Sequence, residues 1–138
     1  VSHKKVDLIL INSLLSSMGQ SKADDTNTFC YLMDMPIKDE IYNDKRFMEW
    51  VQAWNNRSNL NNSNKENQFQ LMKKVNPVII PRNHKVEEAL SNANKNNYET
   101  IYKLLSVIQN PYSPKIDILE FQSPAPISKE KYQTFCGT

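Results

Sequence analysis

Glycine is almost missing from this chain. Only Gly19 and Gly137 stand among its 138 residues, so no glycine-rich loop can bring backbone N–H groups close around a phosphate, and the chain holds no nucleotide by that device. Histidine is equally scarce: His3 and His84 lie far apart, and neither falls in a Cys/His spacing suited to zinc. The two cysteines, Cys30 and Cys136, are too few for a disulfide framework. Long apolar runs are absent too. The longest is Leu8 to Ile11, far below the roughly 20 residues that span a bilayer, and the start lacks a signal-peptide core. Nor does charge of one sign accumulate: 17 Lys and Arg against 15 Asp and Glu leave a net +2. With the signs interspersed, no stripe can neutralise several phosphates, so nucleic acid is not an expected partner. No strand-nucleophile-helix signature marks a hydrolase. The absences leave a chain of one-domain length, expected to be soluble and cytoplasmic, with no membrane partner; its mean hydropathy of −0.63 predicts much polar surface.

What remains is helical periodicity. Leu8, Ile11, Leu15 and Met18 line one face of a helix over residues 5–18, which Gly19 closes in the left-handed conformation. Asp24, Asp25 and Thr26 are cap-type residues for a short helix from Thr26 to Met35, which Pro36 ends. Asp44 caps a third helix bearing Phe47, Trp50, Val51 and Trp54 on one side. The run from Asn55 to Asn64 is rich in asparagine, which competes with the backbone for hydrogen bonds, and reads as a connection. Lys65 to Val75 forms the next helix, around Phe69, Leu71 and Met72, and Asn76-Pro77 halts it. Val78, Ile79 and Ile80, between prolines, must run extended, either as a buried linker or paired weakly with a strand. A helix capped by the Asn83 amide then presents Val86, Ala89, Leu90 and Ala93. A polar turn leads to another over Tyr98 to Gln109, presenting Ile101, Leu104, Leu105 and Ile108, so the two form an αα-hairpin. From Pro111 onward, four prolines exclude regular helix, and the rings of Tyr112, Phe121, Tyr132 and Phe135 pin an extended tail or leave it in solvent. The fold class is all-α: a small irregular bundle of about five to six helices with an extended Pro-rich C-terminal tail.

The residues that invite a functional reading have plainer ones. Trp50 and Trp54, at helical spacing beside Phe47 and Val51, are core rather than a ligand cage. His84 beside Asn83 at a helix start is a surface or cap residue rather than a base. Cys30, between Phe29 and Tyr31, is a small buried hydrophobe. Cys136 differs in kind: a thiol so near the end, next to Gly137, can reach a partner, although by position alone a terminal cysteine is more often idle than redox-active.

The stretch from Val75 to Leu90, in which Asn76-Pro77 is followed by apolar residues and then Arg82-Asn83, closely resembles a segment near the end of selenoprotein O family proteins. Further landmarks follow in order: Asn97-Tyr98 leading into Leu104-Leu105, then Asn110-Pro111-Tyr112, then Phe135-Cys136-Gly137-Thr138, which looks like a bacterial-type family terminus. Upstream, Ala23-Asp24-Asp25-Thr26-Asn27-Thr28-Phe29 is similar to the family's Ala-Asp-aromatic-Thr-Asn-Thr-Phe, with Asp25 in place of the aromatic residue.

The resemblance implies a parent that is a kinase-like protein adenylyltransferase, a pseudokinase that binds ATP and a divalent metal, Mg or Mn, and transfers AMP to Ser, Thr or Tyr hydroxyls of protein substrates. The phosphate-binding and metal-binding motifs belong to lobes upstream. No position here matches them, so no catalytic, cofactor-binding or metal residue is expected in this chain. Residues 1–110 are then a helical C-terminal extension partnered by the kinase-like lobes, and 111–138 a tail with a terminal redox cysteine. Val1 in place of a methionine fits a segment cut from a longer chain, in which truncation uncovers apolar surface able to support a non-native dimer. Asn76, Pro77, Arg82 and Asn83 are implied to fix turns or an interface, and Cys136 to pair with a cysteine upstream of Val1. The rival reading is a stand-alone helical interaction module without enzymatic activity.

Overall fold

The structure, a computed structural model, describes residues 3–60, 64–114 and 117–126. Seven α-helices, one 3₁₀ turn and no strand occur among them, as the all-α reading requires. The chain divides into two compact units between Val78 and Ile79.

The first unit begins with α1, His3–Ser21. Its buried residues are Leu14 and Met18, with Leu10 packed behind them, whereas Leu8, Ile11 and Leu15 are each more than half exposed. This corrects the expected face at Leu8, Ile11 and Leu15, while Met18 is buried as expected. Leucine or isoleucine fills every position from Leu8 to Ile11, so periodicity defines no single stripe, and packing turned the helix by about one residue, roughly 100°. Gly19 is not the stop either. The helix runs on to Ser21, Lys22 takes the left-handed conformation (φ 55°), and the Ala23 N–H donates to the Met18 carbonyl at 3.0 Å.

Helix α2, Asp25–Leu32, is capped by Asp24, whose carboxylate accepts the Asn27 N–H at 2.9 Å. It ends earlier than Pro36 would dictate, because Asp34 turns left-handed (φ 63°) and the Met35 N–H closes onto the Cys30 carbonyl at 3.1 Å. A 3₁₀ turn, Glu40–Asn43, follows and buries Tyr42. Helix α3, Lys45–Asn59, starts at Asp44, whose carboxylate accepts the Arg46 and Phe47 N–H groups. It continues into the asparagine-rich run expected to be a connection. One anchor there is Arg57, ion-paired to Asp7 of α1, which outweighs the weak propensity of asparagine. Helix α4, Lys65–Val75, matches its expected span and is capped by Asn64. Met72 packs on the core while Leu71 is exposed. The core of this unit comprises Leu14, Met18, Leu32, Tyr42, Phe47 and Trp50. Cys30 is wholly buried, as expected, its Sγ 3.9 Å from the Val78 carbonyl oxygen.

The second unit opens on Ile79, which is buried like the neighbouring Val78, whereas Ile80 is 36% exposed, so the expected buried linker holds for the first two of the three residues. Helices α5, Asn83–Asn94, and α6, Glu99–Ile108, form the hairpin. The turn uses Asn96 at φ 61°, and Asn92 Nδ2 donates to Thr100 Oγ1 at 2.9 Å across it. Asn83 is the first helical residue rather than the cap. Arg82 occupies the cap position, with no side-chain bond to the helix start. Ile79, Ala89, Leu104, Val107 and Phe121 make the core. Leu90 and Leu105, expected inside, are 51% and 44% exposed, and Val107 takes the interior place instead. The Pro-rich stretch holds one helical turn, α7, Leu119–Gln122, where an extended chain was expected. Its Phe121 is pinned in the core, while Tyr112 is exposed. No helix among the described residues is long and apolar enough to cross a membrane.

Candidate functional site

The first unit contains an apolar groove of about 420 Å³ between α1, α2, α3 and α4. Leu10, Ile11, Leu14 and Leu15 of α1 form one wall, Trp50 and Trp54 of α3 the opposite one, and Phe29, Leu32 and Met72 complete the lining. Two interactions fix the walls. The Trp50 indole N–H donates to the Leu10 carbonyl at 2.8 Å, and its ring stacks on Trp54 at 5.8 Å. At the mouth the Arg57 guanidinium grips Asp7 through Nε at 2.7 Å and Nη2 at 3.1 Å, a two-pronged geometry that holds better than a single contact. The reading of Trp50 as core stands. Trp54 packs against that core and is only partly buried, so it also lines the groove.

Behind the groove, Tyr31 stacks on Tyr42 at 4.2 Å, and the Tyr42 hydroxyl meets Thr28 Oγ1 at 3.3 Å. Burial raises the Tyr42 pKa above 10.0, the Thr28 hydrogen bond opposes that rise, and Asp39 and Asp24 add to it.

Of the residues singled out in the sequence, Asn76 is the cap after α4. Its Nδ2 and backbone N–H both donate to the Met72 carbonyl, at 3.0 and 2.8 Å, and it borders the groove. Pro77 follows it, half-buried. Arg82, in the second unit, is half-buried, and its carbonyl accepts the Lys85 and Val86 N–H groups that start α5; Asn83 is exposed. The motif therefore falls in two units, Asn76-Pro77 in one and Arg82-Asn83 in the other. Cys136 lies outside the described residues. His84 is half-buried in the first turn of α5; its pKa is lowered by burial first, then by Lys85 and Arg82. Lys85 bonds Glu88 at 2.9 Å and lies 3.7 Å from Glu120. Among the described residues no group of three or more His, Cys, Asp or Glu could hold a metal ion.

Sequence reasoning missed the Arg57–Asp7 clamp. A cation three positions after an aromatic helix face was the available signal, obscured by the surrounding asparagines. It also passed over Leu10 and Leu14, which share their stretch with too many equivalent apolar neighbours to stand out.

The family described as protein adenylyltransferase SelO matches residues 3–109. The chain belongs to the SelO family. Three curated relatives, each named protein nucleotidyltransferase YdiU, are similar to it. That of Pelagibacter ubique is 45% identical over 97% of this chain, that of Bacillus cereus 41% over 99%, and that of Clostridium beijerinckii 42% over 96%. The chain spans only about 28% of the length of the first two and 27% of the third. No solved structure matches it.

Proposed function

We propose that this chain is the C-terminal helical segment of a larger protein adenylyltransferase and that the larger polypeptide, not this segment, performs the transfer. The observation that carries the reading is one of coverage: 45% identity extends over nearly the whole chain, yet that whole is little more than a quarter of a protein named as a nucleotidyltransferase. In the reaction, a Ser, Thr or Tyr hydroxyl oxygen of a protein substrate bonds the α-phosphorus of ATP. The bond to the β-phosphate oxygen breaks, pyrophosphate leaves, and the hydroxyl proton passes to a base. The described residues offer neither a glycine-rich cradle nor a cluster of metal ligands. ATP and the divalent ion, Mg or Mn, belong in this reading to kinase-like lobes elsewhere in the polypeptide. Membership in a nucleotidyltransferase family favours this reading over a stand-alone interaction module.

Asn76, Pro77, Arg82 and Asn83 are the residues proposed to fix the segment's turns or an interface, and Cys136 its redox residue. Cys136 and a cysteine of the kinase-like lobe form a disulfide, two electrons and two protons passing to a peroxide or disulfide oxidant. Incubation with labelled ATP and a divalent ion checks the transfer. Label should reach protein with the full-length polypeptide and not with residues 1–138 alone. Transfer by the short chain, or a stop codon just upstream of Val1, overturns the reading. Peptide mass mapping of the full-length protein without reductant checks the cysteine, and Cys136 found always as a thiol under oxidising conditions removes its redox role.

A further inference from the structure

The groove of the first unit has the make-up of a small-ligand site. Pockets of a few hundred cubic ångströms, with apolar walls and a few polar groups to orient the guest, are those that hold small molecules, and this one measures about 420 Å³. Its α1 wall runs from Asp7 through Ile11 to Leu15, a span of about 12 Å at the helical rise. The charged residues of the lining are a single pair, Arg57 and Asp7. Arg57 is the less exposed partner.

We propose that the groove binds a medium-chain fatty carboxylate, with its acyl tail between Leu15 and Trp54 and its head on the Arg57 guanidinium in the place Asp7 now takes. The inference goes beyond the transfer reaction and does not depend on it. Asp7 is the stand-in for the head. Its Oδ1 and Oδ2 accept from Arg57 Nε at 2.7 Å and Nη2 at 3.1 Å, so the guanidinium at the mouth already holds a carboxylate by both oxygens. Exchange costs little, because Asp7 is exposed enough to return to water and ion pairs of that kind are weak. A cationic head would instead have to displace Arg57, the less exposed partner, so the ligand is an anion. The tail needs no hydrogen bonds, and the walls provide few. Beyond the ion pair the polar lining is Ser58 and Asn76, and Asn76 donates its Nδ2 to the Met72 carbonyl at 3.0 Å. An extended peptide would bring backbone N–H and C=O groups to walls with too few partners for them. An acyl tail brings none, and its burial against Leu15, Trp54 and Met72 is favourable.

Photolabelling and calorimetry on the full-length polypeptide test the site. Decanoate bearing a diazirine on its tail should label peptides from α1, α3 or α4, and excess plain decanoate should abolish that labelling. In calorimetry below the micellar concentration, decanoate should bind at least tenfold more tightly than decyltrimethylammonium, which has the same tail and the opposite head. Arg57→Gln should weaken decanoate at least tenfold. Asp7→Asn, which removes the competing carboxylate, should tighten it several-fold, whereas a merely structural clamp would lose binding in both variants. Met72→Trp fills the groove, spares the ion pair and should abolish binding, which keeps the test decisive if circular dichroism shows Arg57→Gln unfolded. Absence of decanoate binding, label confined to other peptides, equal affinity for the two heads, weaker binding by Asp7→Asn or undiminished binding by Met72→Trp each overturn the proposal.

Discussion

Trp50 of α3 and Leu10 of α1 are joined across the groove by a 2.8 Å hydrogen bond from the indole N–H to the Leu10 carbonyl. The bond pins a large ring where stacking alone would let it slide, and sets the spacing of the two longest helices of the first unit.

Trp50→Phe keeps an aromatic ring and removes the donor. It should lower unfolding stability by about 1–2 kcal/mol, from the lost hydrogen bond and some packing. Trp50→Ala should cost about 3–5 kcal/mol. Urea unfolding followed by far-ultraviolet circular dichroism measures both, and a Phe variant as damaging as the Ala variant would show that the bond is not a minor part of the contact.

The orientation of α1 can be read from two neighbouring leucines. Leu14 is buried and Leu15 is 56% exposed, so in residues 1–138 Leu14→Ala should cost about 2–5 kcal/mol and Leu15→Ala no more than about 0.5 kcal/mol. Equal costs in the same unfolding assay contradict the observed rotation of the helix.

The Arg57–Asp7 clamp joins the end of α3 to the start of α1. The Arg57 side chain is 14% exposed and that of Asp7 44%, so water screens one partner and the coupling should be modest. A double-mutant cycle with Arg57→Ala and Asp7→Ala should return about 0.5–1 kcal/mol, falling as salt is raised. Arg57→Lys should lose most of it, since an ammonium cannot reproduce the two-pronged contact. A coupling of zero would make the clamp a passive surface pair.

Tyr42 gives the first unit an alkaline edge. Its folded pKa lies above 10.0 because burial disfavours the phenolate. The folded state therefore holds the proton more tightly than the unfolded chain. This contribution to stability is intact below pH 10 and is lost as pH rises from there through the folded value. The wild-type urea midpoint should thus fall more steeply above pH 10 than that of Tyr42→Phe. Thr28→Val removes the hydrogen bond that lowers the pKa, so phenolate absorbance should appear at higher pH in that variant. Its appearance at lower pH refutes the assignment.

The sequence by itself determined where several helices start and where α4 stops. Asp24 and Asp44 cap as written because a short carboxylate next to an orphan N–H acts locally, and Asn76-Pro77 halts α4 for the same kind of local reason. Family membership was legible as well, in the Asn76-Pro77 and Arg82-Asn83 landmarks and their order. Tertiary structure alone decided which side of each helix went inside. Leu14 rather than Leu15, and Val107 rather than Leu105, became core because adjacent apolar residues differ little in intrinsic burial tendency, and only the shape of the opposing surface distinguishes them. Tertiary structure also carried α3 through its asparagines to Arg57, since an ion pair to a distant Asp7 has no signature in local propensity. The groove is a product of that choice: turning α1 toward Trp50 left Leu8, Ile11 and Leu15 outside.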